Sequence, residues 1–253
     1  MRVVLFQPPV FRRETPAASL AEALAVPQIH FGDLMRTHLS QGTKLGIRAA
    51  EIINSGRLFP DEIITAIIRD HLHRVTDAGF LLVGYPHSVA LALALDELLR
   101  ELGKPLDGVL HLHLPGEEKE RHVRRLAGRR LCRNDQTHIF EPSVDHLLVE
   151  DVCNVCGGEL YQRGNDNENS IRGRFRSYEA MLEPITQHYA RQHLLVTVEA
   201  VGTFDEIARS GLTALREHGP PALLGASDVL EPGCRGSDTV PRNTFGGHVR
   251  GTP

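Results

Sequence analysis

The sequence has no apolar run long enough to cross a bilayer, and it has no charged leader followed by a cleavage site. It also lacks an excess of positive charge, because 32 Asp and Glu residues outweigh 28 Lys and Arg residues and the net charge is -4. A chain of this kind is not expected to bind nucleic acid or a membrane surface in general. We therefore expect a cytoplasmic protein with neither of these partners.

Lysine is scarce and internal repeats are absent. Lysine occurs only at positions 44, 104 and 119, so nearly all of the positive charge is arginine. At 253 residues with 41% hydrophobic content, the chain can bury one core with small inserted lobes, and we predict a single, monomeric domain. From 219 to 253 the composition shifts to Gly, Pro, Ser and Arg without periodicity, which predicts a disordered tail in which Cys234 is at most a free thiol.

Three of the four cysteines lie close together and form the most informative pattern. Cys153 and Cys156 have the C-x-x-C spacing that clamps one metal at a tight turn, and Cys132 and His138 lie some twenty residues upstream. These four ligands predict a closed, tetrahedral zinc site that is structural and not catalytic. Asp135 is the alternative to His138 as the fourth ligand.

Apolar runs alternate with helical patterns through the first 218 residues. The pattern predicts strands at 2–6, 27–31, 80–84, 108–114 and 194–198, and helices between them that include 33–40, 44–54 and 61–73. Strands that alternate with helices form a parallel sheet covered on both faces. We predict an α/β protein with a five-stranded, doubly wound parallel sheet.

Four motifs in this frame resemble a known family. They are Gly32-Asp33-Leu34-Met35-Arg36, Gly84-Tyr85-Pro86, Gly128-Arg129-Arg130, and the stretch from Cys153 through Arg163 to Arg174. Together they resemble adenylate kinase of the long, zinc-lid type, colinearly from Met1 to about Glu217. The resemblance implies a P-loop kinase-like domain over 1–218, with an inserted AMP-binding lobe at 30–60 and a zinc lid at 129–166. It also implies reversible phosphoryl transfer, in which ATP and AMP form two ADP.

The resemblance further implies which residues bind nucleotide. Arg125, Arg129, Arg163 and Arg174 match the family's lid arginines, and Arg36 matches an arginine on the AMP side. Gly32, Asp33 and Gly84 fall in the matching motifs. An AMP-like nucleotide is therefore the expected ligand. The alternative is that the arginines form ordinary surface ion pairs with nearby acids.

The phosphate-binding loop departs from the family's pattern. The family has G-x-P-G-x-G-K-G-T after the first strand, whereas residues 7–15 read QPPVFRRET, with Arg13 in the place of the lysine. Bulky residues replace glycines whose positive φ lets backbone amides surround a phosphate. The magnesium-anchoring aspartate is Val83 here, and the glutamine that reads adenine is Leu91. We expect transfer from ATP to be weakened or replaced, while the use of Mg²⁺ stays open.

Histidines near the expected phosphate site offer a second kind of catalysis. His87 replaces a phosphate-binding arginine of the family, and His30 ends the second strand, so both are expected near the monophosphate. Histidine there can act as nucleophile or general acid. His111 and His113 share one face of the fourth strand and are either part of this site or satisfied core residues.

Two classes of function follow from these observations. The first is a divergent family member that binds AMP or a related nucleoside 5′-phosphate, as a weakened kinase or a repurposed phosphohydrolase. Its expected catalytic residues are Arg13, His87, Arg125, Arg163 and Arg174. The second is a pseudoenzyme that binds a nucleotide or a protein without turnover. Retained lid arginines and metal ligands favour the enzyme.

Overall fold

The computed structural model describes residues 1–9, 15–55, 59–74, 79–142 and 145–218. Its strands are β1 (Arg2–Phe6), β2 (Gln28–His30), β3 (Phe80–Val83), β4 (Gly108–His113), β5 (Arg130–Cys132), β6 (Ile139–Phe140), β7 (Leu160–Tyr161) and β8 (Leu195–Glu199). Its helices are α1 (Pro16–Leu24), α2 (Phe31–Ser40), α3 (Lys44–Asn54), α4 (Asp61–Leu72), α5 (Val89–Glu101), α6 (Gly116–Gly128), α7 (Glu168–Arg191) and α8 (Phe204–His218).

A five-stranded parallel sheet in the order β2-β3-β1-β4-β8 forms the centre of the domain. The predicted α/β fold with a doubly wound parallel sheet is confirmed. All four residues of β3 are buried, as are the last four of β1. Strands that are apolar on both faces are typical of a parallel sheet covered by helices on both sides.

Helices cover the sheet in two layers. One apolar cluster joins α1, α6, α8 and the first turns of α7 to one face of the sheet, and it includes Leu20, Val123, Phe175 and Leu215. The other joins α4, α5 and the rest of α7 to the opposite face. The carboxyl ends of β1, β3 and β4 remain between the layers, which is where ligands of doubly wound sheets bind.

Helices α2 and α3 form a small helical lobe beside β2. Ile52 packs there with Ile63 and Ile67 of α4. A Cβ at Gly46 would lie 1.9 Å from the carbonyl oxygen of His38, so only glycine allows the two helices to approach this closely. This lobe falls within the stretch 30–60 expected to bind AMP.

A three-stranded antiparallel sheet in the order β6-β5-β7 follows α6. Its own buried cluster consists of Cys132, Phe140, Cys153 and Leu160. Two of these four residues are cysteines, so the apolar core of this small sheet is minimal, and a further source of stability is needed. We call residues 129–166 the lid.

The predicted disordered tail, with Cys234, lies outside the described residues. None of the helices that the structure describes is long and apolar enough to cross a membrane.

Candidate functional site

The carboxyl ends of β1 and β3 border a cavity of about 230 Å³, which we call the strand-end cavity. Its polar lining comes from Gln7, His30, His87 and Tyr178. Its apolar lining includes Leu5, Phe6, Pro8, Pro9, Val83, Pro86 and Met181. The structure therefore brings His30 and His87 together at the position where the fold binds ligands.

His30 is held in a defined orientation at the edge of this cavity. Its Nδ1 accepts a hydrogen bond from the backbone N–H of Gly32 at 3.2 Å and caps α2. A neutral ring with Nδ1 as acceptor carries its proton on Nε2. A Cβ at Gly84, whose φ is +75°, would lie 3.5 Å from Cε1 and 3.6 Å from Nε2 of His30. His30 Nε2 is thus a donor beside a glycine turn.

Two buried polar atoms of residues in the cavity wall lack a hydrogen-bond partner in the part of the chain that the structure describes. They are Gln7 Oε1 and the Tyr178 hydroxyl. Burial, helped by the charge of Glu179, raises the pKa of Tyr178, so its hydroxyl keeps its proton. Buried polar groups are nearly always hydrogen-bonded, and these two fit a polar ligand in the cavity.

The described lining of the strand-end cavity contains no carboxylate. Val83 and Leu91, at the positions that the resemblance assigns to the family's aspartate and glutamine, are fully buried apolar residues. Mg²⁺ is normally held in proteins by one or two carboxylates together with substrate phosphates and water. The described residues of this cavity therefore do not fit a protein-anchored magnesium ion. The loop that includes Arg13 lies outside the described residues.

The base of the lid is built around one buried ion pair. Arg129 donates to Asp166 through Nη2 at 2.8 Å to both carboxylate oxygens and through Nε at 3.2 Å to Oδ2. The two side chains are only 5% and 1% exposed. Gln162 donates to the backbone carbonyls of Ala127 and Asp166 and so joins the chain that enters the lid to the chain that leaves it. Arg129 is engaged in this structure and does not present a free guanidinium.

The other three arginines that were matched to the family's lid arginines, Arg125, Arg163 and Arg174, are less constrained. Arg174 donates to the carbonyl of Asn165 at 2.7 Å and lies 3.6 Å from Asp166. Arg163 donates to Gln136 at 3.2 Å, and Arg125 lies 3.2 Å from the carboxylate of Glu141. Arg125 and Arg174 are about one third exposed. None of the three is held by a bidentate, buried ion pair as Arg129 is, so an incoming anion can compete for them.

On the lobe of α2 and α3, Arg36 forms an ion pair with Asp33. Both side chains are about two thirds exposed, so this pair contributes little to stability. Gly32 lies beneath it, because a Cβ there would be 3.5 Å from Arg36 Nη1. Arg36 is therefore accessible to a ligand.

Cys132, His138, Cys153 and Cys156 meet in the lid, with one ligand atom from each within 4.8 Å of all the others. Cys132 Sγ lies 3.4 Å from Cys156 Sγ, and Cys153 Sγ lies 3.6 Å from His138 Nδ1. A Cβ at Gly158 would lie 2.8 Å from Cys132 Sγ, so only glycine at this position leaves room for the Cys132 sulfur. The donor set and its spacing fit a tetrahedral Cys₃His metal site.

Asp135 lies behind the imidazole of His138, with Oδ2 3.6 Å from Nε2. A carboxylate in this place orients a ligating histidine and fixes which nitrogen binds the ion. Burial raises the pKa of the Cys132 thiol, but backbone hydrogen bonds from Asp135 and Asn134 and those from the neighbouring thiols outweigh it and lower the pKa to about 7. A thiol that ionises this readily is a good metal ligand.

His111 and His113 do not join His30 and His87. They line a separate cavity between β4 and α7. Burial and the neighbouring His113 lower the pKa of His111 to about 4, so this ring is neutral at neutral pH. His111 is half-buried and His113 is exposed, which does not match the expectation of satisfied core residues.

Sequence reasoning missed Gln7, Asp166, Gln162 and Tyr178. Tyr178 follows Arg174 by four residues, so the period of α7 places both on one face and was a usable signal. Gln7 directly follows β1, so its position at the carboxyl end of a strand was a second usable signal. Asp166 and Gln162 depend on contacts with a distant segment, for which the sequence carries no local signal.

Comparison with known proteins agrees with this geometry. A family model described as Adenylate kinase matches residues 5–194. The adenylate kinase of Streptomyces coelicolor is 45% identical over 217 residues, which cover 85% of this chain and 99% of that protein. Those of Acidothermus cellulolyticus and Methanosarcina barkeri are 38% and 36% identical and cover 85% and 82% of this chain, with 98% and 94% of their own lengths matched. The chain belongs to the adenylate kinase family.

Proposed function

We propose that this chain binds AMP or a related nucleoside 5′-monophosphate, with the phosphate in the strand-end cavity, and that transfer of a phosphoryl group from ATP is weakened. The observation that carries the proposal is the convergence of His30, His87, Gln7 and Tyr178 on a cavity that the fold places at the ends of β1 and β3. Membership of a nucleotide kinase family supports a nucleotide as the ligand.

The groups of this cavity suit a phosphate monoester. His30 Nε2–H and the Tyr178 hydroxyl are hydrogen-bond donors, and His87 adds a third polar side chain. Arg36 is accessible on the neighbouring lobe, and Arg163 and Arg174 on the lid side make few competing contacts. Hydrogen bonds from several donors to one phosphate dianion are individually strong because the acceptor is charged.

Weakened phosphoryl transfer follows from the sequence of residues 7–15 and from the cavity lining. The segment QPPVFRRET lacks the glycines and the lysine of the family's loop, and the described lining lacks a carboxylate for Mg²⁺. A single well-placed arginine is worth roughly 10³ to 10⁵ in the rate of phosphoryl transfer, so loss of lysine, amide cradle and magnesium anchor together costs several orders of magnitude. Arg12 and Arg13 are the cations that remain in this segment.

We also infer that the lid binds one structural Zn²⁺ through Cys132, His138, Cys153 and Cys156. Three thiolates and one imidazole prefer Zn²⁺ to harder ions, and four protein ligands leave no open position for catalysis. Binding of such an ion supplies on the order of 10 kcal/mol, which the minimal core of the lid does not. One zinc per chain by elemental analysis, lost in Cys153→Ser, is the expected result.

Calorimetric titration with AMP, with ATP and with a dinucleotide that joins both tests the proposal, each with and without added Mg²⁺. We expect AMP to bind without Mg²⁺ and His87→Asn to weaken this binding at least 10-fold. His193→Asn, at an exposed position away from the cavity, is the matched control and should not change it.

Product analysis completes the experiment. ADP formed from ATP and AMP at turnover numbers usual for kinases, about 1–100 s⁻¹, would refute the weakened transfer. Release of inorganic phosphate from AMP that is lost in His87→Asn would show a phosphohydrolase. Absence of binding by any of the three nucleotides would overturn the proposal and favour a pseudoenzyme.

A further inference from the structure

A second cavity of about 220 Å³ lies between β4 and α7. His111 and His113 form its strand wall, while Tyr178, Glu179 and Glu183 lie along its helix wall. We propose that this cavity, which we call the histidine cavity, binds a divalent transition-metal ion through a chelating pair, His111 and His113, with Glu183 as the third ligand. The proposal does not depend on nucleotide binding.

The strand sets the spacing of the two imidazoles. Residues two apart on a strand point to the same face and are separated by about 6.6 Å along it. The rings of His111 and His113 have centroids 6.0 Å apart, with an angle of 74° between their planes. Two imidazoles that each bind one ion at roughly 2.1 Å place their centroids about 5 to 6 Å apart, depending on the angle at the ion. The observed separation of the two rings is therefore compatible with both of them binding one ion.

Neither imidazole makes a hydrogen bond to any residue that the structure describes, so metal binding breaks no existing contact of this kind. This differs from His188, whose Nε2 is bonded to Asp96 at 2.8 Å, and from His38, whose Nδ1 is bonded to Thr43 at 2.8 Å. Those two histidines are structural. His111 and His113 have no such role among the described residues.

Two carboxylates lie on the helix wall, and only one of them is available. Glu179 forms an ion pair with Lys119. The Glu183 carboxylate accepts a single long hydrogen bond, 3.4 Å from Gln187 Nε2 to Oε1, and forms no ion pair among the described residues. It must swing towards the strand, because its oxygens are not gathered with the two rings in the present rotamers. Tyr178 also lines this cavity, but its hydroxyl is not needed as a ligand for the proposed ion.

The donor set selects the class of ion. Two imidazoles and one carboxylate suit Zn²⁺, Co²⁺, Ni²⁺ and Cu²⁺, whereas Mg²⁺ and Ca²⁺ prefer oxygen ligands throughout. The site has no thiolate, in contrast to the cysteine cluster of the lid. This difference makes the two sites separable by spectroscopy.

The test is a Co²⁺ titration of the full chain, as purified with its lid metal, followed by visible and near-ultraviolet absorption. Cobalt bound to the lid gives intense sulfur-to-cobalt charge-transfer bands, while cobalt in the histidine cavity gives only weak ligand-field bands. We expect one equivalent of Co²⁺ with the weak bands alone. Loss of an outer-shell partner costs roughly 10- to 100-fold in metal affinity, so loss of a ligand in His111→Asn or His113→Asn should cost at least as much.

Matched variants test whether the bound Co²⁺ lies in the histidine cavity or elsewhere on the protein. Glu183→Gln should weaken the binding of Co²⁺ at least 10-fold, and Glu179→Gln and His193→Asn should leave it unchanged. His113 is exposed, so His113→Asn keeps the test valid if His111→Asn fails to fold. A wild-type protein without the thiolate-free Co²⁺ equivalent, or an equivalent that survives in His113→Asn, would overturn the proposal.

Discussion

The buried pair between Arg129 and Asp166 allows a prediction with a defined magnitude. Asp166→Asn keeps the size of the side chain but removes its charge, which leaves the Arg129 guanidinium buried, at 5% exposure, without a counter-ion. Breaking a buried ion pair from one side costs about 3–5 kcal/mol. For a domain of about 150 to 250 residues each kcal/mol lowers the melting temperature by roughly 2–4 °C, so a decrease of about 6–20 °C is expected.

Urea unfolding followed by circular dichroism measures this cost as a free energy of unfolding. The control is Asp33→Asn, which breaks the exposed pair with Arg36 and should leave the stability unchanged within error. Replacing both buried partners, as in Arg129→Met with Asp166→Leu, should recover most of the loss because no unpaired charge remains. A loss below about 1 kcal/mol in Asp166→Asn, or a double variant as unstable as the single one, would refute the reasoning.

Three further predictions concern the lid and the last helix. Gly158→Ala should lower the metal content of the purified protein, because its Cβ would lie 2.8 Å from Cys132 Sγ; elemental analysis checks this, and Gly164→Ala, at a position with open space, is the control. Removing the proposed zinc with a chelator should raise hydrogen exchange in β5, β6 and β7 while β1 and β3 stay protected, since the apolar cluster of the lid has only four buried members among the described residues; equal loss in both sheets would contradict this. Hydrogen bonds from the Thr203 backbone and hydroxyl lower the pKa of Glu206, so its contribution to stability is present above the unfolded pKa and is lost as pH falls through the folded one. The difference in unfolding free energy between wild type and Glu206→Gln should therefore shrink from pH 6 to pH 3, and a constant difference would count against the argument.

The fold could be predicted from sequence because its strands are buried on both faces. The apolar runs at 2–6 and 80–84 locate β1 and β3 to within one residue. The predicted start of α2, residue 33, differs from the observed start, Phe31. The reason is that the His30 side chain caps the helix, and histidine is not among the residues that usually indicate a cap.

The site could be predicted only where local spacing decides it. The C-x-x-C pair and its upstream ligands meet in the lid as their spacing indicates. The sequence could not decide whether His138 or Asp135 is the fourth metal ligand, because this depends on which side chain points towards the three cysteines. Tertiary contacts of the loop set that direction. Arg129 and Asp166 are 37 positions apart in the sequence. The resemblance assigns Arg129 to phosphate binding and gives no indication that Arg129 forms an ion pair with Asp166.

The double attachment of the lid has a consequence for a chain that is cut. The segment that enters the lid and the segment that leaves it are tied to each other by Arg129, Asp166 and Gln162, and the proposed zinc would tie them again through ligands from both halves of the lid. A protease that nicks the exposed turn around Leu148 and Val149 would therefore not release either fragment. The nicked protein should migrate as one species under native conditions and separate into two pieces only when the metal is removed and the chain is denatured. The two halves of the lid should therefore stay associated without an unbroken backbone at its outer turn.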